Sequence, residues 1–203
     1  MRLGAEMGDA FGRGLVASSH GKLDGVSVRV PLAGHLPTST SALGAALRAA
    51  DHVKDAHVTG FAIPIERMRR DDTLDLSGYK VSDADLMVIA GCLRAVGSEP
   101  LPLRSLKVAP KHVKGDGVAA LAAASSLTCL DLSGKMSEVK MRTMGQALLA
   151  NGSGRSRLAL KFDAFDMPVG VNTLDLSRRN MGDDATTLLA GALRLNGVVT
   201  SLE

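Results

Sequence analysis

Hydrophobic and polar positions alternate in a short stretch that occurs three times along the chain. The copies lie at 73–77, 129–133 and 173–177, and each contains Leu-Asp-Leu-Ser. Side chains two residues apart lie on the same face of a strand, so each copy predicts a strand with two buried leucines and an outward aspartate. An Ala-, Leu- and Gly-rich run with helical spacing follows each copy within about a dozen residues, which predicts repeated strand-and-helix units.

The remaining apolar residues predict further elements around these copies. Pro64 ends one predicted strand, and the chain from there to Leu74 is too short for another full helix, so a loop is expected. Ser82 or Asp83 is the expected N-cap of the helix after the first copy. The other predicted elements are helices at 3–18 and 41–50, strands at 25–30 and 58–63, and a strand at 158–162 followed by a short return.

A longer period of about a hundred residues relates the two halves of the chain. Leu74 corresponds to Leu174, and the helix at 41–50 corresponds to the one that contains Met141. We therefore expect a single solenoid over 1–203 with an internal duplication of 23–126 and 127–203. Both ends fall within units, so we expect a subunit of a larger assembly whose neighbours cover the ends.

The leucine spacing resembles the leucine-rich repeat family, specifically its ribonuclease-inhibitor-like class. The pattern Leu-x-x-Leu-x-Leu is met at 103–108, 127–132 and 171–176, with Val at two of the positions. The resemblance implies an α/β leucine-rich-repeat solenoid, a horseshoe with a parallel β-sheet on the concave side and helices on the convex side. The chain departs from the family where Asn or Cys usually follows the last leucine. Those positions hold Tyr79, Lys111, Lys135 and Arg179.

Residues between the inward leucines would line the concave surface. Neighbouring strands lie about 4.8 Å apart, so five of these residues are expected to form a row of alternating charge. The five are Asp75, Lys107, Asp131, Lys161 and Asp175. One interpretation is a partner-binding surface, and the other is that the lysines merely neutralise the aspartates. The predicted partner-binding residues are Arg29, Asp75, Lys107, Cys129, Asp131, Lys161, Thr173 and Asp175.

Composition and charge narrow the class of partner. The 203 residues carry 24 basic and 21 acidic side chains, and the basic run 67–70 is flanked by Glu66, Asp71 and Asp72. At a Debye length of about 8 Å these carboxylates cancel much of its field, so we expect no nucleic-acid binding. No apolar run reaches the roughly 18 to 20 residues that cross a bilayer, so we expect no membrane insertion.

The sequence contains no pattern typical of catalysis or of a cofactor site. His52 and His57 do not share a helix face, and no nucleophile or phosphate-loop motif occurs, so we expect neither an enzyme nor a bound metal or cofactor. Cys92 and Cys129 suit reduced thiols in an intracellular, cytoplasmic protein, with organelle import left open. We expect a protein-interaction scaffold in a hetero-oligomeric complex. The alternative is a leucine-rich-repeat regulator that activates a GTPase through 178–179.

Overall fold

The computed structural model describes residues 26–29, 37–94, 100–124, 126–151, 158–177, 179 and 181–203. The helices are α1 (Pro37–Ala49), α2 (Ile65–Arg70), α3 (Asp83–Leu93), α4 (Asp116–Ala122), α5 (Glu138–Asn151) and α6 (Asp183–Leu195), with a 3-10 turn at Pro110–His112. The strands are β1 (Val26–Arg29), β2 (Val53–His57), β3 (Ala62–Pro64), β4 (Thr73–Asp75), β5 (Ser105–Lys107), β6 (Cys129–Asp131), β7 (Ala159–Lys161), β8 (Asp166–Met167), β9 (Thr173–Leu174) and β10 (Ser201–Leu202). The predicted helix at 3–18 lies outside the described residues.

These strands form three separate sheets. β4, β5, β6 and β7 are parallel neighbours, and β8 adds to β7 in the antiparallel direction, which completes a five-stranded sheet. In the second sheet β1 is parallel to β2, and β3 is antiparallel to β2. β9 and β10 pair in parallel as the third sheet.

This topology contradicts the predicted leucine-rich-repeat solenoid. A horseshoe of that kind would align its strands in one parallel sheet. The described strands instead form three sheets, two of which contain an antiparallel pair. The solenoid prediction is therefore wrong, and the fold is mixed α/β with one five-stranded sheet and two small ones.

Two hairpins explain why the parallel sheet does not continue. The connections after β2 and after β7 are too short for a helix, so the chain reverses and pairs with the strand that it has just left. β3 thereby occupies one edge of β2, and β8 occupies one edge of β7, where a further parallel strand would add. Gly60, with a φ of +116°, lies in the first of these turns. That turn falls inside the strand predicted at 58–63.

The five-stranded sheet is covered by helices on one face. Its middle residues stand side by side in register and are buried; they are Leu74, Leu106, Leu130 and Leu160. Helices α3, α4 and α5 pack against one another in that order, and their apolar side chains share one core with these leucines. Because side chains alternate along a strand, Asp75 and Lys107 point to the opposite face. Among the residues that the structure describes, that opposite face is open.

Glycine allows the helices to approach closely. Gly44 of α1 lies against the backbone of Val88 and Gly91 in α3, and a Cβ atom at Gly44 would overlap the Val88 carbonyl oxygen. Gly145 of α5 lies in the same way against the backbone of Thr187 in α6. A larger side chain at either glycine would force the two helices apart.

Carboxylates connect successive elements at the N-termini of helices. Ser82 is the N-cap of α3, and Asp85 completes a capping box by accepting from the Ser82 N–H. Asp85 also accepts from the Thr59 hydroxyl at 2.6 Å, which joins the first hairpin turn to α3. Asp83 accepts from three backbone N–H groups at the start of α4. Of the two predicted caps, Ser82 is therefore confirmed, while Asp83 serves the next helix.

The Arg69 side chain caps the C-terminus of helix α1. Its two terminal nitrogens donate to five carbonyl oxygens, which belong to Leu47, Arg48, Ala50, Asp51 and Val53. Carbonyl groups at the end of a helix have no partner within it and carry partial negative charge, which a guanidinium neutralises. Burial lowers the pKa of Arg69, and the charge of Asp51 partly offsets this effect.

Replacing the Arg69 guanidinium should destabilise the fold. Arg69→Met is expected to lower the free energy of unfolding by about 1–3 kcal/mol, because partly buried carbonyl oxygens lose their donor. Arg67 is a matched control in the same helix, since its exposed guanidinium pairs with Asp71 across one turn. Arg67→Met should change the free energy by no more than about 0.5 kcal/mol. Urea unfolding followed by circular dichroism measures both values, and equal losses would contradict the capping role.

Candidate functional site

Charged residues form one row across the open face of the five-stranded sheet. Strand register places Asp75 beside Lys107, and Lys107 beside Asp131. It then places Asp131 beside Lys161, and Lys161 beside Asp166. The sign of the charge alternates at every step. We name these five residues the charged row.

The charged row differs from the predicted row at its last position. Four predicted members lie side by side, but Asp175 follows β9, which belongs to a different sheet. Asp166 takes its place beside Lys161. The second hairpin is the cause, because it puts β8 rather than β9 at the edge of β7.

The other predicted partner-binding residues are divided among the three sheets. Cys129 lies two residues before Asp131 in β6, on the open face, and is partly exposed. Thr173 is exposed in β9, and Arg29 lies in β1 in register with His57. The structure therefore brings five of the eight predicted residues onto one face, and their role in binding stays a prediction.

One neighbouring pair in the row forms a weak ion pair. The Lys107 Nζ atom lies 3.9 Å from Asp75 Oδ2, and the two side chains are 43% and 60% exposed. A pair as exposed as this contributes at most about 1 kcal/mol to stability. Because water still solvates both groups, they can exchange that solvation for contacts with a partner.

The serine of each Leu-Asp-Leu-Ser copy donates hydrogen bonds to the carboxylate of the aspartate two positions before it. The Ser77 N–H and hydroxyl both donate to Asp75 Oδ1, at 2.8 and 2.6 Å. Asp131 accepts both bonds from the serine that follows it, and Asp175 accepts the N–H bond. This turn is typical of aspartate followed by a serine two residues later. Sequence reasoning missed this role, although the Asp-x-Ser spacing is the signal for it.

These hydrogen bonds favour the charged form of two aspartates. Bonds from the Ser77 hydroxyl and backbone lower the pKa of Asp75 below its ordinary value, and the charge of Lys107 adds to the effect. Bonds from Ser177 lower the pKa of Asp175 in the same way. Both carboxylates therefore keep their negative charge in more acidic solution than a free aspartate does.

A cleft of about 570 Å³ borders the charged row where the parallel strands end. Its charged lining residues are Lys107, Lys111, Lys135 and Asp163. Two of these lysines, Lys111 and Lys135, occupy positions at which the sequence departs from the leucine-rich repeat pattern. We name this feature the lysine cleft.

A second cleft of about 550 Å³ lies between the β2–β3 hairpin and the turn after β4. Tyr79, the one tyrosine of the chain, lines it with 56% of its surface exposed, and its ring centre lies 5.2 Å from that of Phe61. Its charged lining residues are Asp55, Arg67 and Lys80. Ser77 lines the lysine cleft, so the two clefts flank the same turn. Exposed tyrosine and arginine are enriched at the centres of protein interfaces.

Other candidate chemistry in the described residues has a structural explanation. The basic run 67–70 is balanced locally, since Arg67 pairs with Asp71 and Arg70 with Glu66, while the third arginine caps α1. Across the described ranges, no group of three or more His, Cys, Asp or Glu side chains is arranged to hold a metal ion.

The two arginines considered for GTPase regulation follow strand β9. Arg179 is exposed, and its backbone N–H donates to the carbonyl oxygen of Leu176. Arg178 lies outside the described residues. A role for either in activating a GTPase stays a prediction.

Comparison with known proteins does not assign the chain to a family. No protein-family model matches it, and no curated protein matches its sequence. None of the helices that the structure describes is long and apolar enough to cross a bilayer. A function must therefore be inferred from the geometry of the open face.

Removing the Ser77 hydroxyl should raise the pKa of Asp75. Because the pKa of Asp75 is lowered in the folded state, its contribution to stability is present above the unfolded-state pKa and is lost as the pH falls through the folded-state value. Ser77→Ala should move this loss to higher pH. An NMR titration of the side-chain carboxyl carbons measures the pKa of Asp75. Asp175 is the internal control, because its partner Ser177 is kept. An unchanged pKa for Asp75 would refute the role given to Ser77.

Proposed function

We propose that the chain is a non-catalytic protein-binding scaffold, a subunit of a hetero-oligomeric assembly, and that its charged row contacts a partner protein. The one-sided sheet is the observation that supports this proposal most. Helices cover the leucine face, and the opposite face carries five alternating charges in register. Because the buried leucines fix the backbone that carries these charges, little backbone entropy is lost when a partner binds, and the remaining entropy cost is that of ordering the side chains.

Alternating charge suits a protein better than a polyanion. The row contains three carboxylates and two ammonium groups, so it attracts neither a polyphosphate nor a polycation strongly. A partner surface with the opposite alternation would pair at each position. A partner displaced by one position would meet a like charge at each contact, which costs several kcal/mol. The row would therefore select both the partner and its register.

The charged row is too small to form a stable complex by itself. Five strands spaced about 4.8 Å apart give a row only about 19 Å long. A stable interface buries about 800 Å² on each partner, many times the area of a single row of side chains. A partner would therefore also contact the surfaces next to the row, which are the lysine cleft and the cleft that Tyr79 lines.

Exchanging two neighbouring charges of the row tests the proposal. The double variant Asp131→Lys, Lys161→Asp keeps the net charge but places like charges side by side. It should weaken binding of the partner by at least about tenfold, because like charges would then meet across the interface. The matched control exchanges the exposed helix pair of α2, Glu66→Arg with Arg70→Glu, and should bind as the wild type does.

The measurement uses proteins that the wild-type chain captures from its native source, identified by mass spectrometry and then titrated against each variant. Urea unfolding of both variants shows that each is folded. We call Asp131→Lys with Lys161→Asp the row variant. If it binds the captured protein with the wild-type affinity, the charged row is not the binding surface.

A further inference from the structure

The lysine cleft carries a net positive charge. Three lysines line it, Lys107, Lys111 and Lys135, against one carboxylate, that of Asp163. One oxygen of Asp163 already accepts a hydrogen bond from the Gly134 N–H at 2.8 Å. Both Lys111 and Lys135 are exposed, and neither takes part in an ion pair among the described residues. Two ammonium groups at one cleft are therefore available to an anionic ligand.

The backbone that carries these two lysines is held in place. Gly134 has a φ of +145° and packs on Pro110, where an added Cβ atom would lie 3.0 Å from the proline Cδ. From helix α5, the Lys140 ammonium donates to the Lys111 carbonyl oxygen. The loop after β5 and the loop after β6 are thus anchored, and the fold sets the spacing between Lys111 and Lys135.

The lysine cleft lies at the carboxyl ends of the parallel strands. Strands β4, β5, β6 and β7 end beside it, so residues that follow successive strands meet there. It is an open depression of the surface rather than an enclosed cavity, so an extended segment that lies across it can contact several of its side chains. Lys107 belongs both to this cleft and to the charged row, so one ligand can contact both.

Resting on the proposed function, we infer that the lysine cleft binds an acidic, extended segment of the partner protein, with its carboxylates against Lys111 and Lys135. Carboxylate and ammonium groups form charge-assisted hydrogen bonds, which are about twice as strong as neutral ones. Where the same segment continues along the charged row, a carboxylate would face Lys161 and a basic side chain would face Asp131, as the alternation of the row requires. The partner's binding segment is therefore rich in Glu or Asp at spaced positions.

Two observations disfavour a nucleic acid in the same cleft. Asp75 and Asp131 of the charged row lie next to it and would repel a continuous phosphate backbone. Single-stranded nucleic acids stack their bases on exposed aromatic rings. None of the described residues that line the lysine cleft is aromatic, and the exposed Tyr79 ring lies in the other cleft beside Phe61.

Fluorescence anisotropy with labelled probes tests the inference. The probes are a short peptide of alternating Glu and Ser, its Gln-for-Glu analogue, and an oligo(dT) of similar length. The Glu peptide should bind at about 50 mM salt and lose at least about tenfold in affinity at about 300 mM, because salt screens exposed charges. Lys111→Glu with Lys135→Glu should cause a similar loss. Lys54→Glu with Arg194→Glu changes the net charge equally outside the cleft and should stay within about twofold of wild type.

Three results would each overturn the inference: no binding of the Glu peptide at low salt, equal losses in the two double variants, or tighter binding of oligo(dT) than of the Glu peptide. Capture of the native partner separates this inference from the proposed function. If Lys111→Glu with Lys135→Glu keeps a partner that the row variant loses, the acidic-segment inference fails and the charged row stands. If the row variant also keeps the partner, the proposed function fails as well.

Discussion

Burial of leucine on one face of the five-stranded sheet is the interaction on which the other features depend. Each buried leucine contributes about 1.5–3 kcal/mol, and four of them stand side by side in neighbouring strands. A slip of one residue would expose these leucines and bury the charged row, whose charges would then lose their hydration. The apolar face thus sets the position of every charge on the polar face.

Connection length decides how far that sheet extends. Helices α3, α4 and α5 each form the connection between two strands, and after each of them the next strand runs parallel to the one before. Where the connection is short, a hairpin strand takes the edge instead, as β3 and β8 do. The open face of the five-stranded sheet therefore ends at Asp166. Close contacts at Gly44 and Gly145 then hold helices α1 and α6 against the covering helices α3 and α5.

Features that follow from local periodicity can be predicted from this sequence. Pairs of apolar residues separated by one residue identify the strands, the buried face and four members of the charged row. The horseshoe fails because a short connection after a strand is equally compatible with a loop or a hairpin. Contacts distant in sequence also escape prediction, as with Arg69, whose carbonyl partners begin 22 residues earlier. The lysine cleft is lined by residues that follow several different strands, so no single stretch of the sequence predicts it. The division into two blocks stays a prediction.

Alkylation of the two native cysteines, read by mass spectrometry, tests most directly whether the sheet has one buried face and one open face that a partner covers. Cys92 is buried in α3, where its thiol donates to the Gly44 carbonyl oxygen and burial raises its pKa to about 12, which suppresses the reactive thiolate. Cys129 lies on the open face. We expect Cys129 alone to react in the folded chain and to be protected when the captured partner is bound. Earlier modification of Cys92, or equal reactivity of Cys129 with and without the partner, would contradict the account.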